Sequence, residues 1–289
     1  MIRAWLLLLV PGVASARRRT LETTTIVTPW CKDSVRIQVR PTVGGATELS
    51  TSALTDVHCA PGPQQQLGKQ NSTAANGNLQ VTLTETGALA FHRRDTGAIL
   101  FSANVAMSPS SVLSGRGFFA ANATLTAGDA SERLYGLGQG NWTGPVGGYQ
   151  IGGCASDNDR GSGMPERVVP LLRNGQTVKL LQRKFHVSIP WVYSTAGYGF
   201  LFNMPGYGHV QMGALGVGGM EWHAQTAPLL DIWVTTLPAG HSGGDIAPAE
   251  PIYTRYADAT GHAPPLREDA MIFWQSRLRL KIQRENVVP

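Results

Sequence analysis

From Asn78 onward, apolar and polar residues alternate in short runs separated by turns, and no other feature constrains the fold as strongly. Leu79, Val81 and Leu83 occupy every second position, Thr86-Gly87 turns the chain, and Leu89 and Phe91 resume the alternation. A second turn at Asp95-Thr96-Gly97 leads into Ile99 to Phe101. Successive side chains of an extended strand point to opposite faces, so each run hides one face and wets the other. Similar runs follow at Phe118 to Thr126, Phe185 to Val192, Phe200 to Asn203 and Leu229 to Thr235. With 34 glycines and 18 prolines to supply turns, the pattern is that of an all-β sandwich and not of a helix bundle.

One helix is expected late in the chain. Ile252, Tyr256 and Ala259 share a helical face, prolines 248 and 251 suit its start, and Gly261 suits its end. Ala263-Pro264-Pro265 stops it, and Ala270 to Trp274 is a short apolar run that fits one more strand. Upstream, residues 17–77 read as an irregular segment in which only Val35, Ile37 and Val39 alternate. Residues 61–76 hold almost no apolar side chain and read as a linker. The expected division is therefore 1–16, 17–77, 78–265 and 266–289.

Residues 1–16 have the pattern of a secretory signal peptide. Arg3 precedes the apolar stretch Ala4 to Val13, and Ala14-Ser15-Ala16 offers a small-residue cleavage site. The stretch is shorter than the ~20 residues that span a bilayer as a helix. A protein of the secretory pathway, extracellular or lumenal, with no membrane partner, is expected. The net charge is +5, with Arg17, Arg18 and Arg19 clustered near the expected cleavage site. The other basic residues are interspersed with acids, which argues against a nucleic-acid partner. In an oxidising compartment Cys31, Cys59 and Cys154 would form one disulfide and leave one thiol. Cys31–Cys59 is the pairing nearest in sequence, and three pairings are open. Asn71, Asn122 and Asn141 each head an N-glycosylation triplet.

Four segments, in this order, resemble the N-terminal domain of glycoside hydrolase family 31. They are Glu132-Arg133-Leu134-Tyr135-Gly136-Leu137-Gly138-Gln139, then Arg173-Asn174-Gly175-Gln176-Thr177-Val178 as in the α-xylosidase-like branch. Next comes Ile189-Pro190-Trp191 with Gly197-Tyr198-Gly199-Phe200-Leu201-Phe202-Asn203. The last is Tyr256-Ala257-Asp258-Ala259-Thr260-Gly261 with Pro264-Pro265 and Phe273-Trp274-Gln275-Ser276-Arg277. The resemblance implies a galactose-mutarotase-like β-sandwich followed by a (β/α)8 barrel, with residues 266–289 as the stub of that barrel and Met271 to Ser276 as its first strand. Such a barrel takes ~250 residues and carries its active site on loops after the strands. The family's nucleophile motif has no counterpart in this sequence. A retaining glycosidase needs two carboxyl groups ~5–5.5 Å apart, and no such pair is identifiable, so no catalytic residue is assigned.

By the same resemblance, a sandwich loop reaches towards the barrel's pocket and carries an Arg-Asp pair. Its nearest match is Arg183-Lys184, although a lysine cannot accept hydrogen bonds from sugar hydroxyls. Trp142 and Tyr149, in a glycine-rich stretch, are the candidates for stacking on a sugar. The function implied is that of a non-catalytic domain shaping the substrate entrance of a secreted retaining α-glycosidase. Its partners would be a carbohydrate, bound through the complete enzyme, and the barrel itself, and no cofactor or metal is expected. A free-standing carbohydrate-binding module is the alternative. A small serine hydrolase using Ser242 of Gly240-His241-Ser242-Gly243-Gly244 is a further one, but the strand–turn–helix context of a nucleophile elbow is missing. Asp157-Asn158-Asp159-Arg160-Gly161 fails the calcium-loop pattern at its later positions.

Overall fold

The computed structural model describes residues 21–44, 52–68, 71–112, 118–139, 142–143, 172–180, 187–204, 206–241 and 248–265. Sixteen strands and one helix lie within them. In chain order they are β1 (Thr23–Pro29), β2 (Ser34–Pro41), β3 (Gln65–Leu67), β4 (Ser72–Asn76), β5 (Leu79–Leu83) and β6 (Leu89–Arg93). There follow β7 (Ile99–Pro109), β8 (Phe119–Ala127), β9 (Leu134–Gln139), β10 (Trp142–Thr143) and β11 (Thr177–Leu180). The series ends with β12 (Val187–Ser194), β13 (Tyr198–Phe202), β14 (Gly208–Met212), β15 (Met220–Ala227), β16 (Leu230–Thr236) and α1 (Ala249–Thr260). All the pairings between these strands are antiparallel, as in a sandwich of hairpins and crossovers.

Two sheets result. One has seven strands in the order β3-β1-β2-β16-β13-β12-β9, and the other has nine in the order β10-β11-β14-β15-β8-β7-β6-β5-β4. Their facing sides form one core. Val35, Ile37, Phe200, Ile232 and Val234 from the smaller sheet meet Val81, Phe91, Phe101, Met107, Val210 and Trp222 from the larger one. A fully buried side chain of this size contributes roughly 1.5–3 kcal/mol relative to an exposed one. The sandwich is therefore held mainly by this layer.

The structure corrects the expected boundary near residue 77. Along β2, Val35, Ile37 and Val39 alternate inward as expected, but β2 lies between β1 and β16 inside the seven-stranded sheet. Within the stretch read as a linker, β3 pairs with β1 and β4 pairs with β5. Strands β1–β4 thus extend both sheets and belong to the sandwich. The short polar strands β3 and β4 escaped notice because each is an outermost strand with an exposed face, so neither shows an apolar alternation.

The helix forms where expected. Pro248 precedes it with φ −65°, Pro251 sits in the first turn, where it breaks no helical hydrogen bond, and Glu250 faces the positive end of the helix dipole. Gly261 closes it with φ 101° and donates its N–H to the carbonyl of Ala257. Ile252 and Ala259 pack on the outer side of the seven-stranded sheet with Trp191, Leu201, Trp233 and Leu237. Among the described residues no helix is long and apolar enough to cross a membrane. The expected barrel strand at 271–276 and the expected leader at 1–16 lie outside the described residues.

Candidate functional site

Three of the four segments that carry the family resemblance meet around β9. Its chain is extended up to Tyr135 and then passes through three residues of positive φ: Gly136 at 126°, Leu137 at 67° and Gly138 at 67°. A non-glycine residue in this region costs on the order of 1–3 kcal/mol unless its surroundings hold it there. Two things hold Leu137. Its side chain is 1% exposed within the core, and Arg173 grips the carbonyls on either side of it.

Arg173 donates from Nε to the Gly136 carbonyl at 3.0 Å and from Nη2 to the Gly138 carbonyl at 2.8 Å. Its Nη1 donates to Oε1 of Gln176 at 3.3 Å. Because β9 is the outermost strand of its sheet, the guanidinium supplies donors that a further strand would otherwise provide. Burial lowers the Arg173 pKa from its usual value. Asn174 continues the clamp, accepting from Leu134 N at 2.8 Å and donating to the Glu132 carbonyl at 3.0 Å.

Glu132 joins the third segment to the first. One carboxylate oxygen accepts from the Ser194 hydroxyl at 2.6 Å and the Tyr198 hydroxyl at 2.8 Å, and the other from Gly219 N at 2.7 Å. Burial, with the adjacent Glu132 carboxylate, pushes the Tyr198 phenol well above its ordinary pKa. The fourth segment docks on the opposite side of the sheet. Tyr256 of α1 stacks on Trp191 with centroids 4.3 Å apart. The indole of Trp191 lies across Gly199, where a Cβ would come within 2.0 Å of the ring. Beside this stack, Tyr193 is buried between Tyr135 at 6.1 Å and Tyr253 at 5.9 Å, and Tyr253 is 42% exposed.

A second polar cluster lies at the other end of the seven-stranded sheet from the β9 exit. Asp33, in the turn between β1 and β2, accepts from Asn78 N at 2.6 Å and pairs with Arg255 of α1. Nearby Asp95 accepts from Arg93 and from Gly240 N. Desolvation works to raise the Asp95 pKa, but the hydrogen bonds from Arg93, Gly240 and Asn78 and the charge of Arg93 outweigh it, leaving the value at about 2. Asp33, Asn78, Arg94 and Asp95 border an open pocket of about 500 Å³.

These carboxylates are occupied in holding the fold. Glu132 has three neutral donors, Asp33 has Arg255 and Asn78, and Asp231 has Arg36 at 2.6 Å and Gln38 at 3.1 Å. Burial raises the Asp231 pKa despite the opposing Arg36. Among the described residues no group of three or more His, Cys, Asp or Glu is set to hold a metal ion.

The sequence candidates fare unevenly. Arg183 and Lys184 lie outside the described residues, but the segment 181–186 joins β11 of one sheet to β12 of the other. Trp142 is placed by its backbone alone, in β10 opposite Val178, and Tyr149 lies outside. Cys31 and Cys59 form a disulfide that ties the β1–β2 turn to the loop before β3, with Cys154 outside the described residues. Asn71 is exposed, Asn122 is half-buried beside His223, and Asn141 lies outside. Ser242 and residues 157–161 also lie outside. The Arg173 clamp was missed because its ligands are backbone carbonyls, which leave no mark in a sequence.

No family model matches the chain. A curated relative from Pseudescherichia vulneris, described as an uncharacterized family 31 glucosidase, is 29% identical over 262 residues, covering 89% of this chain and 45% of its own length. A family 31 α-xylosidase from a soil metagenome, solved with xylose, superposes with a TM-score of 0.59 at 24% identity over 92% of this chain and 38% of its own. A xylosidase from Aspergillus niger gives 0.57 at 18% identity, over 85% and 32%. The chain thus spans less than half the length of these proteins, a share consistent with one N-terminal domain. In sequence and in fold, the chain is similar to such a part of the family 31 glycoside hydrolases.

Proposed function

We propose that this sandwich is a non-catalytic domain of a secreted retaining α-glycosidase, which it serves by shaping the substrate entrance beside a catalytic barrel. The supporting observation is that three of the four resembling segments meet around β9. There a strained Gly-Leu-Gly passage is clamped by Arg173, while the buried carboxylates are engaged in structural bonds. The clamp fixes where the chain leaves β9. β9 is the outermost strand of its sheet and pairs with β12. The Cys31–Cys59 disulfide supports a secretory location.

A chimera tests this reading. This chain replaces the superposable part of the soil-metagenome α-xylosidase, and release of nitrophenol from an aryl α-xyloside is followed. Retained turnover with an altered KM is expected. A soluble, folded chimera without turnover would contradict the role.

The carbohydrate-binding module remains a second reading because Tyr135, Tyr193 and the exposed Tyr253 form an aromatic shelf, and sugars stack on such rings. Affinity electrophoresis of the isolated chain on α-glucans and xyloglucan oligosaccharides separates the two. Retention lost in Tyr253→Ala or Trp142→Ala would favour the module; absence of retention favours the structural domain.

A further inference from the structure

We propose that His209 and His223 chelate a divalent transition-metal ion on the outer face of the nine-stranded sheet, with Asn122 as a positioning residue. The pair is invisible in the sequence, because the two histidines are separated by a hairpin and Asn122 comes from a distant strand. Register brings them together. His209 of β14 lies directly opposite His223 of β15, and His223 lies opposite Asn122 of β8. Their neighbours Val210, Trp222 and Ala123 point into the core, so alternation puts all three polar side chains on the outer face. Both histidines are half-buried, on adjacent strands that restrain their backbones.

The geometry suits a two-imidazole chelate. The rings are 5.1 Å apart at their centroids with 43° between their planes. Metal–imidazole bonds of about 2.0–2.1 Å put the two donor nitrogens of one tetrahedral ion roughly 3.3 Å apart. Ring centroids 5.1 Å apart are compatible with that span. Nδ1 of His223 is hydrogen-bonded to Oδ1 of Asn122. An amide oxygen can only accept, so Nδ1 carries the proton and the lone pair of the neutral ring resides on Nε2. Metal-binding histidines are oriented in this way by an acceptor on the other nitrogen. Glu221, two residues from His223 on the same face, adds negative charge, while Lys179, opposite His209, is exposed. Water completes the coordination, and imidazole donors favour Cu²⁺ and Zn²⁺.

The untagged full chain is titrated with Cu²⁺ and followed by calorimetry and electron paramagnetic resonance. One equivalent should bind with coupling to two nitrogens. Affinity should fall at least tenfold in His209→Ala and in His223→Ala, and about tenfold in Asn122→Ala, with recovery in Asn122→Asp, which keeps the acceptor. His262→Ala is the comparison, because His262 and His58 form the other close ring pair, at 4.6 Å, and it should bind like the parent. Zn²⁺ should also raise the melting temperature of the parent and not of His209→Gln, an independent reading from a conservative variant. Equal affinity in the parent and the His209→Ala/His223→Ala double variant overturns the site, as does loss confined to His262→Ala.

Discussion

The outer faces of the two sheets are built on opposite plans. On the nine-stranded sheet the strands alternate cleanly, as in β8 and β15, with Ala121, Ala123, Leu125 and Trp222 inward and Asn122, Thr124, Thr126 and Glu221 outward. On the seven-stranded sheet all seven residues of β16 and all five of β13 are buried. Helix α1, the loop 52–62 and an Asp231–Arg36–Gln38 network cover that side. A face that meets water tolerates substitution, whereas a covered face must satisfy each polar group it hides.

The largest effect that would sharpen this contrast is expected from Asp231→Ala. The aspartate is fully buried, and its loss leaves Arg36 and Gln38 without their shared acceptor, at a cost of about 3–5 kcal/mol. Urea unfolding monitored by tryptophan fluorescence measures it, and a loss below 1 kcal/mol would show that the network is dispensable. Next comes the tether of the covering layer. The Cys31–Cys59 bond closes a separation of 28 residues, and the loop it holds reaches α1 through Thr55 N to the Ala259 carbonyl at 2.8 Å. Cys31→Ser with Cys59→Ser should cost about 2–4 kcal/mol and expose α1 to proteolysis before the core.

A smaller, pH-dependent effect is expected at Asp95. Its pKa is about 2 in the folded chain against 3.8 for an unperturbed aspartate. The stabilisation is therefore complete above the unfolded value and is lost as pH falls from about 4 through about 2. Asp95→Asn should flatten this part of the acid-unfolding profile by lowering stability at neutral pH, where the contribution of Asp95 is complete, and leaving it nearly unchanged near pH 2. The smallest effect belongs to the wet face. Thr126→Ala should change stability by no more than about 0.5 kcal/mol, and a larger loss would mean that this face, too, is covered.

The same contrast explains what could be read from the chain. Leu79, Val81, Leu89 and Phe91 announced the nine-stranded sheet because only one side of it is dry. In β16, Leu230-Asp231-Ile232-Trp233 revealed a strand but not that Asp231 and Trp233 lie under a helix. Ile252 and Ala259 pointed to the buried side of α1, but Arg255 did not, because its burial depends on Asp33, 222 positions away. Segment order was enough for the family resemblance. The clamp on Gly136 and Gly138 was not legible, since an arginine bound to carbonyls looks like any other arginine in a sequence.

The most direct test of the non-catalytic role is an assay of the full chain, purified without a partner, on aryl α-glucosides and α-xylosides. The expected result is no nitrophenol release above buffer at any pH from 4 to 8, because cleavage needs two carboxyl groups poised across one bond, while Glu132, Asp33 and Asp231 are each committed to structural donors. Turnover that copurifies with the chain and disappears in Glu132→Gln, Asp33→Asn or Asp231→Asn would contradict it.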